Sequence, residues 1–279
     1  MRMWESSRTA SRNSSSTSSA DMLPAPPASL CETWLESWPE ALAGLSFEQQ
    51  GLRLSWAEVH ALGRLNGIHG HCFQRSNPGA LEGLTARLDD ALRRFPQGAF
   101  VRLGSRSPKD TLPGMLTGNR AFNGAQAVRL LTGGSERISF DLRRCLRAAY
   151  TPWIFLRRWC EIPPESEFRC FMREGRRVGV SQYHHGSHFE GLDAKQTLEC
   201  LRERVLAFFP LLAAHSHVTT AVFDLIITPG RDRPVTLIEL NPYGMSTDPC
   251  LFSWSEQDLD DTLRVRTATG EIARLPLSR

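Results

Sequence analysis

The chain has 279 residues, 41% of them hydrophobic, and a net charge of +3 at neutral pH. That length and apolar content are enough to bury one large core or two small ones. No apolar run approaches the length needed to cross a bilayer and no segment resembles a signal peptide, so we expect a cytoplasmic protein without a membrane partner. The small positive charge, with arginines scattered along the chain, argues against a nucleic-acid partner. Seven cysteines without a CxxC pair argue against a disulfide framework and a structural zinc site.

The first 28 residues differ in composition from the rest of the chain. Residues 11–20 read SRNSSSTSSA, and the proline-rich stretch LPAPPAS follows. Such a composition cannot bury enough apolar surface to offset the entropy of ordering the chain. We therefore predict a disordered tail over residues 1–28. Its arginine and serine content would also suit a transit peptide or the export signal of a bacterial effector, and the sequence alone leaves that interpretation open.

Residues 29–153 are predicted to form an N-terminal lobe. Apolar residues at helical spacing predict a helix over 81–94 and shorter helices over 125–131 and 140–149. The segment AFVRLG at residues 99–104 predicts a strand, because apolar and β-branched residues fill it.

Residues 154–260 are predicted to form a C-terminal lobe, followed by an extension over 261–279. A strand over 152–157 leads into this lobe. Two strand-like segments about a turn predict a hairpin over residues 167–182. Asp193 is predicted to cap a helix whose apolar residues recur on one face.

A second predicted hairpin places two acids opposite each other. Its strands cover residues 219–228 and 235–241, and Pro229 and Gly230 between them signal a turn. If the strands pair symmetrically about the loop, four pairs face one another: Thr228 with Val235, Ile226 with Leu237, Asp224 with Glu239, and Val222 with Asn241. Two carboxylates are then opposed on an otherwise apolar face, where like charges repel and are poorly solvated.

The opposed carboxylates need a compensating positive charge. A divalent cation held by Asp224, Glu239 and the amide oxygen of Asn241 would provide it, and magnesium bound in this way completes its shell with water and phosphate oxygens. Two alternatives to a cation stay open: the end of the hairpin is simply exposed, or Asp224 meets an arginine.

Histidines are grouped in three places: His69 and His71; His184, His185 and His188; and His215 and His217. No cysteine lies at zinc-finger spacing from any of these groups. We therefore predict solvated histidines in loops or at helix ends rather than metal ligands.

Several segments resemble one family in their order and spacing. They are WLESWP at 34–39, FVRLGSRSPKD at 100–110, LRRW at 156–159, EFRCF at 167–171, VGVSQ at 178–182, VFD at 222–224, LIELNPYG at 237–244, TD at 247–248 and LFSW at 251–254. Together they resemble the cell division cycle protein 123 family over residues 30–257. The resemblance implies an α+β ATP-grasp fold, in which two lobes with antiparallel sheets enclose a cleft for ATP and Mg²⁺.

The resemblance assigns a metal site and a phosphate contact. Asp224, Glu239 and Asn241 match the magnesium-binding positions, although the family more often has aspartate at the position of Glu239. Arg169 matches an arginine expected near the phosphates, where a planar guanidinium suits a two-point contact. No catalytic residue is assigned.

Five further residues match the family's nucleotide-binding surface. Lys109 matches a nucleotide-facing lysine. Arg102 takes the place of a strand lysine, which keeps the positive charge but loses the compact ammonium group. Arg158, Trp159 and Cys160 match the link between the lobes, whose backbone would bond to adenine. Without the resemblance, Lys109 would be interpreted as an exposed lysine and Trp159 as a core residue.

Two functions are compatible with such a nucleotide site. Eukaryotic members of the family are assembly chaperones for translation initiation factor 2, which implies nucleotide-dependent binding of a protein client. The alternative is an ATP-grasp ligase that activates a small-molecule carboxylate as an acyl phosphate. The alanine-, arginine- and leucine-rich composition looks bacterial, which would suit an effector acting on a host factor or a ligase with its own substrate. We favour ATP-dependent client binding.

Overall fold

The computed structural model describes residues 31–69, 79–228, 234–255 and 257–278. The tail predicted over residues 1–28 and the turn signalled by Pro229 and Gly230 lie outside the described residues, as does His71.

The first half of the chain forms an antiparallel four-stranded sheet covered by helices. The strands lie in the order β1-β4-β2-β3. Their bounds are β1 (Gln49–Arg53), β2 (Ala99–Leu103), β3 (Arg120–Ala121) and β4 (Trp153–Arg158). The helices are α1 (Glu40–Ala43), α2 (Trp56–Leu65), α3 (Gly79–Leu92), α4 (Leu112–Thr117), α5 (Gly124–Leu131) and α6 (Glu136–Arg147), and a 3₁₀ turn covers Leu35–Ser37.

Polar side chains begin several of these helices. Ser55 and Glu58 form a reciprocal capping box at the start of α2. Ser135 accepts a hydrogen bond from the backbone of Ile138, so α6 begins four residues before the helix predicted over 140–149. The helix predicted over 81–94 is confirmed as α3, and its buried leucines pack against this sheet.

The second half forms a six-stranded sheet in the order β10-β9-β6-β5-β7-β8. Its strands are β5 (Glu167–Arg173), β6 (Arg176–Gln182), β7 (Ala221–Ile226), β8 (Thr236–Asn241), β9 (Thr262–Arg266) and β10 (Ile272–Pro276). The hairpin predicted over residues 167–182 is confirmed as β5 and β6. One departure from the predicted antiparallel sheets is the parallel pairing of β6 with β9.

One long helix, α7 (Lys195–His215), packs its apolar face on the six-stranded sheet. The prediction that Asp193 caps this helix was wrong. A 3₁₀ turn over Glu190–Leu192 ends at Asp193 and holds its backbone in the right-handed helical region, whereas a capping residue needs an extended backbone. Ala194 takes that position without a side-chain bond, and Asp193 instead contacts His188 at 2.9 Å.

A β-bulge divides the hairpin of β7 and β8. The predicted pairs of Asp224 with Glu239 and Val222 with Asn241 are confirmed. The predicted pair of Ile226 with Leu237 was wrong, since Leu225 faces Leu237 instead. Ile238 is the extra residue, and it leaves Leu237 fully buried in the core while Glu239 lines a cavity on the other face.

The sheets divide the chain near, but not at, the predicted lobe boundaries. Strand β4 belongs to the first sheet, so that sheet continues to Arg158, five residues beyond residue 153. Strands β9 and β10 complete the second sheet and lie wholly in the segment predicted as an extension over 261–279. Among the described residues, no helix is long and apolar enough to span a membrane.

Candidate functional site

Charged side chains from both sheets meet where β2 of the first sheet approaches β8 of the second. We call Arg102, Arg169, Asp224, Glu239 and Asn241 the cross-sheet cluster. Arg169 and Asp224 are neighbours on β5 and β7, and Glu239 faces Asp224 from β8. The cluster therefore draws its residues from four strands, with Arg102 alone contributed by the first sheet.

Arg169 and Asp224 form a buried two-point ion pair. The Nε and Nη2 atoms of Arg169 donate to the two carboxylate oxygens of Asp224 at 2.8 and 2.9 Å. The third nitrogen, Nη1, donates to the backbone carbonyl of Asp248 at 2.7 Å, and the guanidinium lies 4.8 Å from the ring centre of Tyr183. Each nitrogen of this guanidinium is thus engaged once, while Nη1 and Nη2 each keep a second N–H; only a two-point phosphate contact on the edge that faces Asp224 would require bonds to be exchanged.

Arg102 and Glu239 form the second ion pair, which joins the two sheets. Arg102 Nη1 donates to Glu239 Oε2 at 2.7 Å. Its other nitrogens donate to the carbonyl oxygens of Leu103 and Ser105 at 3.0 Å each. Only 3% of the Arg102 side chain is exposed, so this contact is shielded from solvent and salt.

The opposed acids predicted from the sequence are therefore each matched by an arginine. Asn241 adds a further hydrogen bond, from its amide nitrogen to Asp224 Oδ2 at 2.9 Å. The interpretation that Asp224 meets an arginine is confirmed, and the interpretation that the end of the hairpin is exposed is wrong, because Asp224 is buried. The metal-site prediction for Asp224, Glu239 and Asn241 is compatible with this arrangement and stays a prediction.

The pKa values of the two acids in the cluster are shifted in opposite directions. Burial raises the pKa of Asp224, Glu239 opposite adds to that effect, and Arg169 acts against both. Burial also acts to raise the pKa of Glu239, but the charges of Arg102 and Lys109 outweigh it and lower the pKa to about 2. Glu239 is therefore ionised over the whole physiological range.

Lys109 acts on the cluster through its charge. The side chain is exposed, and it forms no ion pair with an acid in the described part of the chain. Its positive charge helps to lower the pKa of Glu239 and acts against the rise that burial causes in the pKa values of Glu167 and Asp224. Such a lysine, facing acids without being bound to one, can contact an incoming anion without first losing a partner.

A small cavity adjoins the cross-sheet cluster on the side of β4. Its volume is about 110 Å³, well below the roughly 300–1,000 Å³ of a typical small-molecule site. Twelve residues line it: Phe47, Phe100, Arg102, Ser107, Lys109, Arg157, Arg158, Cys160, Ile162, Glu167, Ile238 and Glu239. Four of the residues predicted to bind nucleotide are thus joined to Glu239 in one cavity, which must enlarge to admit a nucleotide.

The predicted link between the lobes begins at the end of β4. Arg158 and Cys160 are exposed and line the cavity. Trp159 is half-buried and belongs to neither large core; the guanidinium of Arg120 lies 4.2 Å from its ring centre. These three residues also line a groove of about 1,040 Å³. The interpretation of Trp159 as a core residue is therefore wrong.

Two charged residues of the site were missed by the sequence analysis. Glu167 lies two residues before Arg169 on β5, and the alternation of side chains along a strand could have placed both on one face. Burial raises the pKa of Glu167 to about 7, with Lys109 acting against the rise and Asp224 adding to it. Arg157 is buried, and burial with the neighbouring Arg102 lowers its pKa to about 9. Arg157 lies within an apolar strand, and no local sequence pattern indicates that its side chain reaches the site.

Comparisons with known proteins match more than half of the chain. The family model described as D123 matches residues 73–273. A translation initiation factor eIF2 assembly protein of Xenopus laevis is 27% identical over 180 residues, covering 61% of this chain and 52% of the relative. The eIF2 assembly protein of Dictyostelium discoideum is 25% identical over 214 residues, covering 70% and 54% respectively. The chain spans about half the length of these curated relatives.

One solved structure is similar over most of the described fold. The structure of Cdc123 from Schizosaccharomyces pombe matches with a TM-score of 0.66 and 20% identity, covering 84% of this chain and 92% of that chain. At this identity the likeness concerns the fold. It supports the α+β architecture with two sheets, while the ATP-grasp assignment stays a prediction.

Proposed function

The chain belongs to the D123 family, and on that premise we propose that it is an assembly factor for a client related to translation initiation factor eIF2, with ATP and Mg²⁺ bound between its two sheets. Relatives that match it carry the name eIF2 assembly protein. Such a client would place the protein in the cytoplasm.

The observation that carries the nucleotide proposal is the meeting of three buried charges, on Arg102, Arg169 and Asp224, with the half-buried Glu239 beside a cavity. Arg102 and Glu239 are 137 positions apart in sequence and pair at 2.7 Å. Removing charges from water costs several kcal/mol per ion, and even a good ion pair often does no more than offset that cost, so a cluster of this kind is poorly explained by stability alone. Perturbed charged groups beside a cavity are typical of ligand-binding sites, and binding of a ligand between the sheets would account for this cluster.

The oxygen donors of the cluster fit a magnesium ion. Asn241 uses its amide nitrogen toward Asp224, which leaves its carbonyl oxygen as an acceptor. Glu239 uses Oε2 for Arg102, which leaves Oε1. Asp224 Oδ1 accepts one hydrogen bond and keeps a second lone pair, whereas Oδ2 already accepts two. Two carboxylates and an amide are hard oxygen ligands of the type that Mg²⁺ prefers. Asp224, Glu239 and Asn241 would hold the ion, which would supply positive charge to bridge phosphate oxygens.

The positive residues would receive the phosphates. Lys109 is exposed toward the acids and can bind an anion directly, whereas Arg102 and Arg169 would exchange an acid for a phosphate oxygen. Guanidinium groups bind phosphate and carboxylate with the same two-point geometry, so that exchange needs little reorientation. The link at Arg158, Trp159 and Cys160 would border the adenine.

Titration calorimetry tests the nucleotide proposal. We expect ATP to bind the full chain with Mg²⁺ and to bind at least tenfold more weakly after chelation. Asp224→Asn should lose most of the magnesium dependence, because one anionic ligand is removed. Asp193→Asn, which alters an acid paired with His188 on the surface, is the matched control and should behave as wild type. Equal ATP affinity with and without chelator would contradict the magnesium site.

A separate experiment tests the client. Purified subunits of eIF2 are mixed with the full chain in the presence of ATP and Mg²⁺, or with chelator. We expect nucleotide-dependent co-purification without stoichiometric release of ADP. Release of ADP coupled to modification of an added carboxylate, without any subunit bound, would favour the ligase function instead.

A further inference from the structure

A second pocket is lined by Arg169 but not by Arg102. Its volume is about 420 Å³, and Arg169, Tyr183, His185, Asp248 and Cys250 are among the residues that line it. His185, Asp248 and Cys250 each offer one ligand atom, and these atoms all lie within 4.8 Å of one another. Within the described ranges, no other three histidine, cysteine or acidic side chains meet this criterion.

We propose that His185, Asp248 and Cys250 form a binding site for a thiophilic divalent cation, Zn²⁺. A thiolate, an imidazole and a carboxylate are the three ligand types that zinc takes in proteins. Three protein ligands leave the fourth position of a tetrahedral ion open, and here that position would face the pocket. The site uses nitrogen and sulfur donors, so it differs in chemistry from the all-oxygen magnesium site proposed above and does not depend on it.

The spacing of the ligand atoms is close to that of a bound ion. Zinc–ligand bonds of about 2.0–2.3 Å place the corners of a tetrahedron roughly 3.3–3.8 Å apart. The three atoms lie within 4.8 Å, so rotations that bring them together by about 1 Å complete the set. His185 and Cys250 are half-buried and Asp248 is exposed, which leaves the side chains room to make that adjustment.

Hydrogen bonds already orient two of the ligands. The Nδ1 atom of His185 lies 3.2 Å from the carbonyl oxygen of Tyr183; a proton on Nδ1 donated to that carbonyl leaves Nε2 free to coordinate. Histidine ligands of metals characteristically donate their other ring nitrogen to such a carbonyl. The backbone nitrogen of Cys250 donates to Asp248 Oδ1 at 2.8 Å, which holds the thiol and the carboxylate on one side of a tight turn.

The backbone of Cys250 adopts an unusual conformation, of a kind that is often found at functional sites. Its φ is 57°, a left-handed conformation that is sparsely populated by non-glycine residues because it has a cost in free energy. Glycine would relieve that cost, but it would also remove the thiol. Arg169 fixes the same turn through its bond to the carbonyl of Asp248, so the surrounding contacts hold the strained residue in place.

Cobalt substitution tests this site on the full chain. Metal-free protein, prepared with a chelator, is titrated with Co²⁺ in the presence of excess Mg²⁺. We expect one equivalent to bind with a thiolate-to-cobalt charge-transfer band, and Zn²⁺ to displace it. Cys250→Ser should abolish the band, and His185→Ala should weaken binding at least tenfold.

Two further variants separate a metal site from a folding effect. Asp248→Asn keeps an oxygen for the bond to the Cys250 backbone while removing the carboxylate ligand, and should weaken cobalt binding with an unchanged melting temperature in chelator. Cys200→Ser, a half-buried thiol on α7, is the matched control and should keep the band. Absence of a charge-transfer band from the wild type, or its persistence in Cys250→Ser, would overturn the proposal.

Discussion

Two regions of the protein bury carboxylates, and they neutralise them in different ways. In the cross-sheet cluster, Asp224 and Glu239 are each bonded to an arginine. Beside Gly104 the carboxyl group of Glu36 accepts hydrogen bonds from the hydroxyl of Tyr150 at 3.1 Å and the backbone of Trp153 at 3.3 Å. It has no cationic partner at ion-pair distance in the described part of the chain, and its Oε2 atom is buried without a hydrogen-bond partner there.

The difference appears in the ionisation of the acids. The pKa of Glu239 is lowered to about 2 because Arg102 and Lys109 outweigh the effect of burial. Burial raises the pKa of Glu36 to about 7, and the hydrogen bonds from its own backbone and Tyr150 only partly oppose the rise. The comparison teaches that a buried acid either remains charged beside a cation or becomes protonated near neutral pH.

The largest expected effect comes from breaking the Arg169 pair. Arg169→Met would leave Asp224 buried opposite Glu239 without its cation, and we expect a loss of about 3–5 kcal/mol in the free energy of unfolding at pH 7. Urea denaturation measures this value. The double variant Arg169→Met, Asp224→Leu should recover most of the loss, because no unpaired charge then remains.

A control for this prediction is the exposed pair of Arg93 and Asp90 on the protein surface. Arg93→Met should change the free energy of unfolding by less than about 0.5 kcal/mol. If Arg169→Met changed the free energy of unfolding by as little as Arg93→Met, the buried ion pair would not be needed to stabilise the charge of Asp224.

The second prediction concerns pH and Glu36. Its pKa in the folded state is raised to about 7 from 4.5, so its stabilising contribution is fully present below pH 4.5 and is lost as the pH rises through 7. That loss reaches about 3 kcal/mol. Glu36→Gln cannot ionise, so the variant should be more stable than the wild type at pH 8 and should show a shallower decline between pH 5 and 8.

Denaturation curves at several pH values provide the measurement, with Glu40→Gln, an exposed carboxyl on α1, as the matched control. Part of the slope will remain in Glu36→Gln, because burial also raises the pKa of Glu167. An identical pH profile for the wild type and Glu36→Gln would rule out a buried, neutral Glu36.

The third prediction concerns the close packing of Gly104 on Glu36. A methyl group at residue 104 would lie 1.5 Å from Glu36 Oε2, far inside van der Waals contact, so the carboxyl group would have to move. We expect Gly104→Ala to cost about 1–3 kcal/mol. In the double variant Gly104→Ala, Glu36→Ala the clash is absent, so the two effects should be strongly non-additive. If the losses of the two single variants simply added up in the double variant, the strain in Gly104→Ala would not come from contact with Glu36.

The smallest expected effect belongs to Arg102→Lys. A lysine keeps the positive charge beside Glu239 but cannot reproduce all the bonds to the carbonyls of Leu103 and Ser105. We expect a loss of about 1–2 kcal/mol, whereas Arg94→Lys in an exposed pair with Glu48 should be nearly neutral. If Arg102→Lys were as damaging as Arg169→Met, the geometry of the arginine would matter more than its charge.

The sequence predicted the acids of the cluster better than their partners. Asp224 and Glu239 lie on one hairpin, so a symmetric pairing about a short loop was enough to oppose them. Arg102 reaches Glu239 from a strand 137 positions away, and no local periodicity reports such a contact. The resemblance did bring Arg102 and Arg169 into the site, but as candidate phosphate contacts rather than as partners of the acids.

Further features escaped the sequence analysis for related reasons. Glu36 was part of the WLESWP segment that supported the family resemblance, yet its burial depends on Gly104 and Tyr150, which are distant in sequence. The cluster of His185, Asp248 and Cys250 was missed because zinc-finger spacing was the criterion, and these residues approach one another only through the folded turns.

The bulge at Ile238 has a consequence for how relatives of this protein should vary. Ile238 is the extra residue between the pairs at Leu237 and Glu239, and its carbonyl oxygen accepts a hydrogen bond from the buried Arg157 at 2.7 Å. Deleting it would restore strict alternation without turning Glu239 away from Asp224, but Arg157 would lose an acceptor. Chains that lack the extra residue should therefore also lack the arginine, and a paired loss of this kind would be visible as covariation between two strands of different sheets.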